Sequence, residues 1–314
     1  MENSIDKIVG GRLSYPKNTT YNVKKDLLEN NKVVVGTMFR KTELLDEMEN
    51  PTLPHPLVVA KQAGFRIVVI DCEHKAFSQE RLATYAKIAH KIGVSLWLRP
   101  TQQEEEAISQ YADIGFSGFM IPNAVQLPRI RKIVDQAYFP PIANERALVR
   151  RGYSISDILL DGEVSRLMPL RKEMNYVNSN MIVTLQTEHP KGIDNLAELL
   201  SISREGIIGT IIGPNNLAIS LSQFKGNHYL LELDRDKMYE DEVMMRAYET
   251  TGRIARDNKK VAGIHFTEKS QVELIKRLIN EERFHEYRLI LFGTELNLLQ
   301  KEFDHTEEIV QSIG

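Results

Sequence analysis

Residues 66–74, Arg66-Ile67-Val68-Val69-Ile70-Asp71-Cys72-Glu73-His74, decide the fold. Five residues rich in β-branched side chains read as a buried strand. The run then stops in two acids, a thiol and an imidazole, which a core strand does not need. In a parallel strand, alternation sends Asp71 and Glu73 to one face and Cys72 to the other. His74 opens the following loop at the strand's carboxyl end, the end where barrel enzymes carry their chemistry.

Working outward, the same pattern recurs. Strand candidates lie at 33–38, 66–71, 94–99, 118–123, 181–188, 206–213, 261–265 and 287–293. Between them fall helical stretches: His55 to Gly64, Ser78 (as N-cap) to Gly93, Gln103 to Ile114, Val125 to Tyr138 and a helix around Asp194 to Ile202. One long amphipathic helix is expected over Asp236 to Asn258, with Val243, Ala247, Thr251 and Ile254 on one face, then Lys269 to Ile279 and a terminal helix from Leu296. Strand–helix alternation repeated eight times predicts a (β/α)8 barrel, residues 32–314, preceded by a polar extension, residues 1–31. No glycine-rich phosphate-cradling turn follows any strand, which argues against an open doubly wound sheet. Two pieces break the alternation: Arg40 to Pro56, with three prolines, and residues 140–178, with a basic knot at Arg146, Arg150 and Arg151.

Composition narrows the function classes. The chain has 314 residues, 42% apolar and 26% charged, an ordinary globular composition. Forty basic and 43 acidic residues give a net charge of -3, with no electrostatic footprint for nucleic acid. Cys72 is the only cysteine, so an intrachain disulfide and a cysteine-based structural zinc site are excluded. No apolar run approaches about 18 residues and the start lacks an apolar signal core, so no membrane association and a cytoplasmic location are expected.

In a barrel the strand ends converge on one rim, and here they carry Asp71, Glu73 and His74, then Arg99, then Gln186 and Glu188, then Gly213-Pro214-Asn215-Asn216. Alternation places Trp97 with Arg99, and Gln186 with Glu188. Trp97 reads as core and Cys72 as a small buried hydrophobe. His189 reads as a loop histidine, and His265 as a residue that can reach the rim without a motif around it.

The motifs VVIDCEH (68–74), LRP (98–100), MIPN (120–123), LQTE (185–188) and IGPNNLAIS (212–220), in that order, resemble the HpcH/HpaI aldolase family. These are metal-dependent pyruvate aldolases of the phosphoenolpyruvate/pyruvate barrel superfamily. The resemblance covers about residues 33 to 300. It implies a carbon–carbon lyase acting through the enolate of a 2-oxo acid such as pyruvate. It implies His74 as base, paired with an aspartate of a neighbouring subunit that Asp113 matches, and Arg99 as the holder of the 2-oxo acid and its enolate. It further implies Glu188 as ligand of a divalent metal (Mg2+, with Mn2+ or Co2+ as alternatives), Gln186 facing the substrate, and Glu73 acting through metal-bound water. Asp71 joins the catalytic set. Gly213, Pro214 and Asn215 form the substrate-carboxylate turn, since glycine admits close backbone approach and the following amides can donate.

One position departs from that pattern. The family's second metal-ligand aspartate, in a G-P-x-D motif, is Asn216 here, which leaves a dipole where a charge is expected. The resemblance implies a homo-oligomer, dimer-based and extending to a trimer of dimers. Three functional readings follow: aldol cleavage or condensation, a citrate-synthase-like or other biosynthetic condensation, and a 2-oxo-acid-binding barrel that has lost the metal. Retention of a base at His74 favours an enzyme.

Overall fold

Eight parallel strands close a barrel in strict sequence order. They are β1 (Val34–Phe39), β2 (Ile67–Asp71), β3 (Ser95–Arg99), β4 (Gly118–Ile121), β5 (Ile182–Thr187), β6 (Ile207–Ile212), β7 (Val261–Phe266) and β8 (Tyr287–Thr294), with β8 pairing back onto β1. This computed structural model describes residues 19–40, 45, 55–140, 169–284 and 287–295. Residues 1–18, most of the Arg40 to Pro56 piece, Arg146, Arg150, Arg151 and the helix expected from Leu296 lie outside the described residues.

Near-continuous apolar strands are what a sheet buried on both faces requires. The alternation sorts them into two cores. Val34, Met38, Ile67, Val69, Trp97, Met120, Ile182, Ile211, Val261, Leu289 and Leu291 fill the barrel interior. Their neighbours, among them Val68, Ile70, Leu96, Leu98, Phe119 and Ile264, face the surrounding helices. Trp97 is fully buried in the interior, as expected. Gly118 makes room for it: a Cβ there would meet the indole at 2.3 Å. Truncating a core aromatic of this kind costs about 3–5 kcal/mol.

The connecting helices follow local signals. Ser78 caps Gln79–Ile92 by accepting from the Arg81 N–H at 3.2 Å, and His55 caps Pro56–Gln62 through the Leu57 N–H. Three expectations change. The long helix over Asp236 to Asn258 is two helices, Arg235–Tyr239 and Glu242–Asp257, because Asp241 turns and accepts from the Val243 N–H, restarting the ladder as an N-cap. Its buried stripe runs through Met244, Ala247, Tyr248, Thr251 and Ala255, with Val243 and Ile254 at its margin. Part of the irregular 140–178 region is the helix Leu170–Ser179, and Pro214–Lys225 is a helix that starts directly on the sixth strand end.

The last part of the expected polar extension is also ordered. Thr19–Leu28 is a helix whose Val23, Leu27 and Leu28 join the interior core, so it closes the amino end of the barrel. Its Thr20 hydroxyl lies 2.8 Å from the Ser95 hydroxyl inside that end, and its Asp26 pairs with Arg66 at 2.7 Å.

Candidate active site

The opposite, carboxyl end of the barrel is where the interior changes character. Continuing the inward alternation one step past the apolar residues reaches Arg40 from β1, Asp71 and Glu73 from β2, Arg99 from β3, Gln186 and Glu188 from β5, and His265 within β7. Of these, Arg40, Arg99, Gln186, Glu188 and His265 line a cavity of about 110 Å3, together with His74, Gly213, Pro214, Asn215, Asn216, Tyr239 and Thr267.

Asp71 and Arg99 are register partners on adjacent strands. Arg99 grips the Asp71 carboxylate in a fork, Nε to Oδ1 at 2.8 Å and Nη2 to Oδ2 at 2.6 Å, while Asp71 is wholly buried. The Glu73 N–H also donates to Asp71 Oδ1 at 3.1 Å. A bidentate pair of this kind fixes the guanidinium plane. It leaves Nη1 to reach Gln186 Oε1 at 3.3 Å and Glu73 Oε2 at 3.2 Å. Burial opposes the Arg99 charge, but Asp71, Glu73 and Glu188 outweigh it and hold its pKa above the ordinary value. Asp71 therefore sits beneath Arg99 as its support and does not line the cavity.

Glu188 is the second focus. Its Oε1 accepts from Gln186 Nε2 at 2.8 Å and from Asn216 Nδ2 at 2.7 Å, and its Oε2 from the Asn123 N–H at 3.3 Å. Gln186 thus relays between Arg99 and Glu188, its oxygen toward one and its nitrogen toward the other. Burial raises the Glu188 pKa, opposed by the Asn216 hydrogen bond and the Arg99 charge and assisted by Glu73. Gly213 is required by close packing: a Cβ there would lie 2.6 Å from Glu188 Oε1 and 3.0 Å from Gln186 Nε2. Asn215 accepts from the Tyr239 hydroxyl at 2.7 Å, which anchors the start of the Pro214–Lys225 helix.

Among the described residues, no group of three or more His, Cys, Asp or Glu side chains is arranged to hold a metal. The donor set is one buried carboxylate, Glu188, with the Asn216 amide beside it. Hard cations such as Mg2+ bind through one or two carboxylates and complete their shells with water and substrate oxygens, so this set fits at the lower limit.

The remaining expected residues divide. His74 stands at the mouth, its side chain 57% exposed, with Nε2 3.7 Å from Glu73 Oε2. Burial raises the Glu73 pKa, offset in part by Arg99 and His74. Asp113 ends the helix Ile108–Asp113, which descends from the rim to the amino end of β4, so within one chain the fold does not bring it to His74. Cys72 faces the helices, and burial pushes its thiol well above the ordinary range. His189 caps its own helix by accepting from the Lys191 N–H and lies against Phe224. His265 does reach the cavity. Arg40, Tyr239 and Thr267 line it without having been expected. The signal for Arg40 was inward alternation two residues beyond Met38; Tyr239 carries no such signal, since it arrives from a helix.

A family model described as HpcH/HpaI aldolase/citrate lyase matches residues 53–237. A hydroxypyruvate/pyruvate aldolase of Deinococcus radiodurans is 24% identical over 173 residues, 54% of this chain and 56% of that protein. A 4-hydroxy-2-oxo-heptane-1,7-dioate aldolase of Salmonella typhimurium is 27% identical over 165 residues, 52% of this chain and 58% of that one. The chain thus spans about half the length of the curated relatives it matches. In structure it is similar to an HpcH/HpaI aldolase from Desulfitobacterium hafniense, with a TM-score of 0.65, 24% identity, and 92% and 95% of the two chains covered. That likeness is one of fold.

Proposed function

The chain belongs to the HpcH/HpaI aldolase/citrate lyase family, and from that premise we propose that it is a carbon–carbon lyase whose reaction passes through the enolate of a 2-oxo acid. The observation that carries this reading is the fixed direction of Arg99. Asp71 grips two of its nitrogens, the third reaches Gln186 and Glu73, and the side chain so fixed lines the cavity together with Glu188.

Forming an enolate requires positive charge where its oxygen develops and a base for the carbon-bound proton. Arg99 supplies the first as a preoriented guanidinium, held before the substrate arrives, so little reorganisation is needed during reaction. Gln186 fixes the relation between Arg99 and Glu188. Glu188 would hold a divalent cation, Mg2+ foremost, and Asn216 would join it only by turning its amide over from the orientation in which its nitrogen donates to Glu188 Oε1; such a cation would add Lewis-acid charge at the oxygens of the 2-oxo acid. Gly213, whose missing side chain lets Glu188 and Gln186 pack on its backbone, and the first residues of the Pro214–Lys225 helix line the cavity that would receive the substrate carboxylate. His74, at the mouth, takes and returns the proton on the carbon next to the carbonyl, since imidazole is the side chain suited to that task near neutral pH. Asp113, far from His74 within one chain, supports a homo-oligomer in which a second copy brings it to the mouth, as the family resemblance implies.

Exchange of the methyl protons of pyruvate with solvent, followed by NMR in the presence of Mg2+, tests this reading. The wild-type protein should exchange them, and His74→Ala should slow the exchange by about a hundredfold to ten-thousandfold while keeping its fold. Absence of exchange in the wild type under every metal tried removes the enolate reading.

A further inference from the structure

Beside the cavity the rim carries a clamp that the enolate chemistry does not touch. Arg129, in the first turn of the Leu127–Ala137 helix after β4, meets Glu105 of the short turn Glu104–Ala107 after β3. Its Nε donates to Glu105 Oε2 at 2.9 Å and Oε1 at 3.0 Å, and its Nη2 donates to Oε1 as well. Glu105 is buried, so the pair is shielded from water. The guanidinium also reaches backbone. Nη2 donates to the Pro122 carbonyl at 2.8 Å and Nη1 to the Asn123 carbonyl at 2.7 Å. Asn123 lies between those two carbonyls in the left-handed region, φ 45°, a conformation asparagine accepts more readily than most side chains.

The Pro122 carbonyl and the Asn123 N–H belong to one peptide unit, and in a planar trans peptide they point to opposite edges. The carbonyl edge meets Arg129. The N–H edge donates to Glu188 Oε2 at 3.3 Å, whereas Glu188 Oε1 is served by side chains, Gln186 and Asn216. A donor on the carbonyl polarises the peptide and strengthens its N–H in turn. The next N–H, of Ala124, donates to the Gln186 carbonyl at 3.1 Å, which ties the strand end but does not set the rotation of the peptide before it. A second ion pair, Lys132 with Glu106, joins the same two elements, and its amine bonds to neither carbonyl.

Resting on the lyase reading above, we propose that Arg129, held by Glu105, is a positioning residue for Glu188. By gripping the carbonyl edge of the Pro122–Asn123 peptide it fixes the N–H that this peptide presents to Glu188 Oε2. It thereby sets how well that carboxylate holds a divalent cation. The route is a relay of four groups, Glu105 to Arg129 to one peptide to Glu188, and only the last of them lines the cavity.

Electron paramagnetic resonance of Mn2+, titrated into the protein with pyruvate present, reads cation binding without turnover. Arg129→Met should weaken Mn2+ binding about tenfold to a hundredfold, the range for losing a group that orients a metal ligand. Lys132→Met cuts the neighbouring tie between the same two elements and should leave Mn2+ binding unchanged. Glu105→Leu should weaken it too, and the double variant no more than Arg129→Met alone, since both act through one peptide. Arg129→Lys keeps the charge but cannot hold Glu105 and two carbonyls together, so it should fall between wild type and Arg129→Met. It takes over the test if Arg129→Met does not fold. Wild-type affinity in Arg129→Met, or in Arg129→Lys where it takes over, overturns the proposal. So does an equal loss in Lys132→Met, or losses that add in the double variant. Each of these leaves the lyase reading standing. Wild-type protein that binds no Mn2+ with pyruvate removes the cation at Glu188 and this proposal with it.

Discussion

The two ends of this barrel are made by the same strands under the same alternation, yet they treat buried polar groups in opposite ways. At the amino end, closed by Thr19–Leu28, the polar atoms around Ser95 inside the barrel are neutral and mutually paired, and the buried Lys260 amine at the same end is met by backbone carbonyls. Ser95 sits between Thr20 at 2.8 Å, Ser117 at 3.3 Å and the Trp97 indole N–H at 2.9 Å. At the carboxyl end, Asp71, Glu73 and Glu188 gather around Arg99, and burial raises the pKa of both glutamates. A neutral hydroxyl chain satisfies itself and stabilises. A cluster of carboxylates around one guanidinium carries a desolvation and repulsion cost, seen in the raised pKa of both glutamates. The difference supports the proposal that the carboxyl end is the working end.

The largest effect should come from breaking that cluster. Arg99→Met leaves Asp71 buried without its partner, and an uncompensated buried charge costs about 3–5 kcal/mol. Urea denaturation should show that loss, and calorimetry should show 2-oxo acid binding abolished. Replacing both, Asp71→Leu with Arg99→Met, should restore most of the stability and none of the binding. A double variant that still bound pyruvate would place the binding determinant elsewhere on the rim.

Much of this contrast was legible in the chain. Asp71, Arg99, Gln186 and Glu188 were visible as charged or amide residues at inward positions beyond apolar runs, and the eight strands stand within a residue or two of their expected bounds. The helix at the amino end was not legible, because Thr19–Leu28 buries only a narrow stripe, Val23 and Leu27, within a polar segment. Tyr239 was hidden in a helix that Asp241 interrupts. Arg40 was obscured because the proline-bearing piece after it reads as the start of an insertion and not as the last step of β1. Asn216 was visible as a departure; that its nitrogen turns to Glu188 Oε1 is a fact of side-chain geometry.

A smaller effect tests the amino end through pH. Lys260 precedes β7 there and donates to the carbonyls of Ser203 at 3.4 Å, Arg204 at 2.5 Å and Ile207. Burial, then the charges of Lys24 and Arg204, lowers its pKa from 10.5 to about 8. A depressed folded pKa means the fold disfavours the charged form. Stability should therefore rise as pH climbs from about 8 to 10.5, by no more than about 3 kcal/mol, and this gain should be lost as pH falls through 8. In Lys260→Met the slope over that window should vanish. A slope that persists would assign it to another group.

The smallest effect concerns how the closing helix is tied to the barrel. Asp26 accepts from Asn30 Nδ2 at 2.7 Å, pairs with Arg66 at 2.7 Å and with Lys32 at 3.2 Å. Burial alone would push its carboxyl up; those three partners outweigh it and pull it down to about 2. A depressed acid contributes stability above its unfolded pKa and loses it as pH falls through the folded one, so the window runs from about 4 down to about 2. The Lys32 side chain is largely open to water and that of Arg66 is half-buried at the surface, and pairs of that kind are worth about 1 kcal/mol or less. Asp26→Asn should lower the urea midpoint slightly at pH 7 and not at all at pH 2, where the wild-type carboxyl is itself losing its charge. Since Val23 and Leu27 supply the apolar contact, the helix should stay docked in this variant. A loss of more than about 3 kcal/mol at pH 7 would show instead that the ion pair, and not the apolar stripe, holds the amino end shut, and would erase the contrast between an end that stores charge for a ligand and an end that does not depend on it.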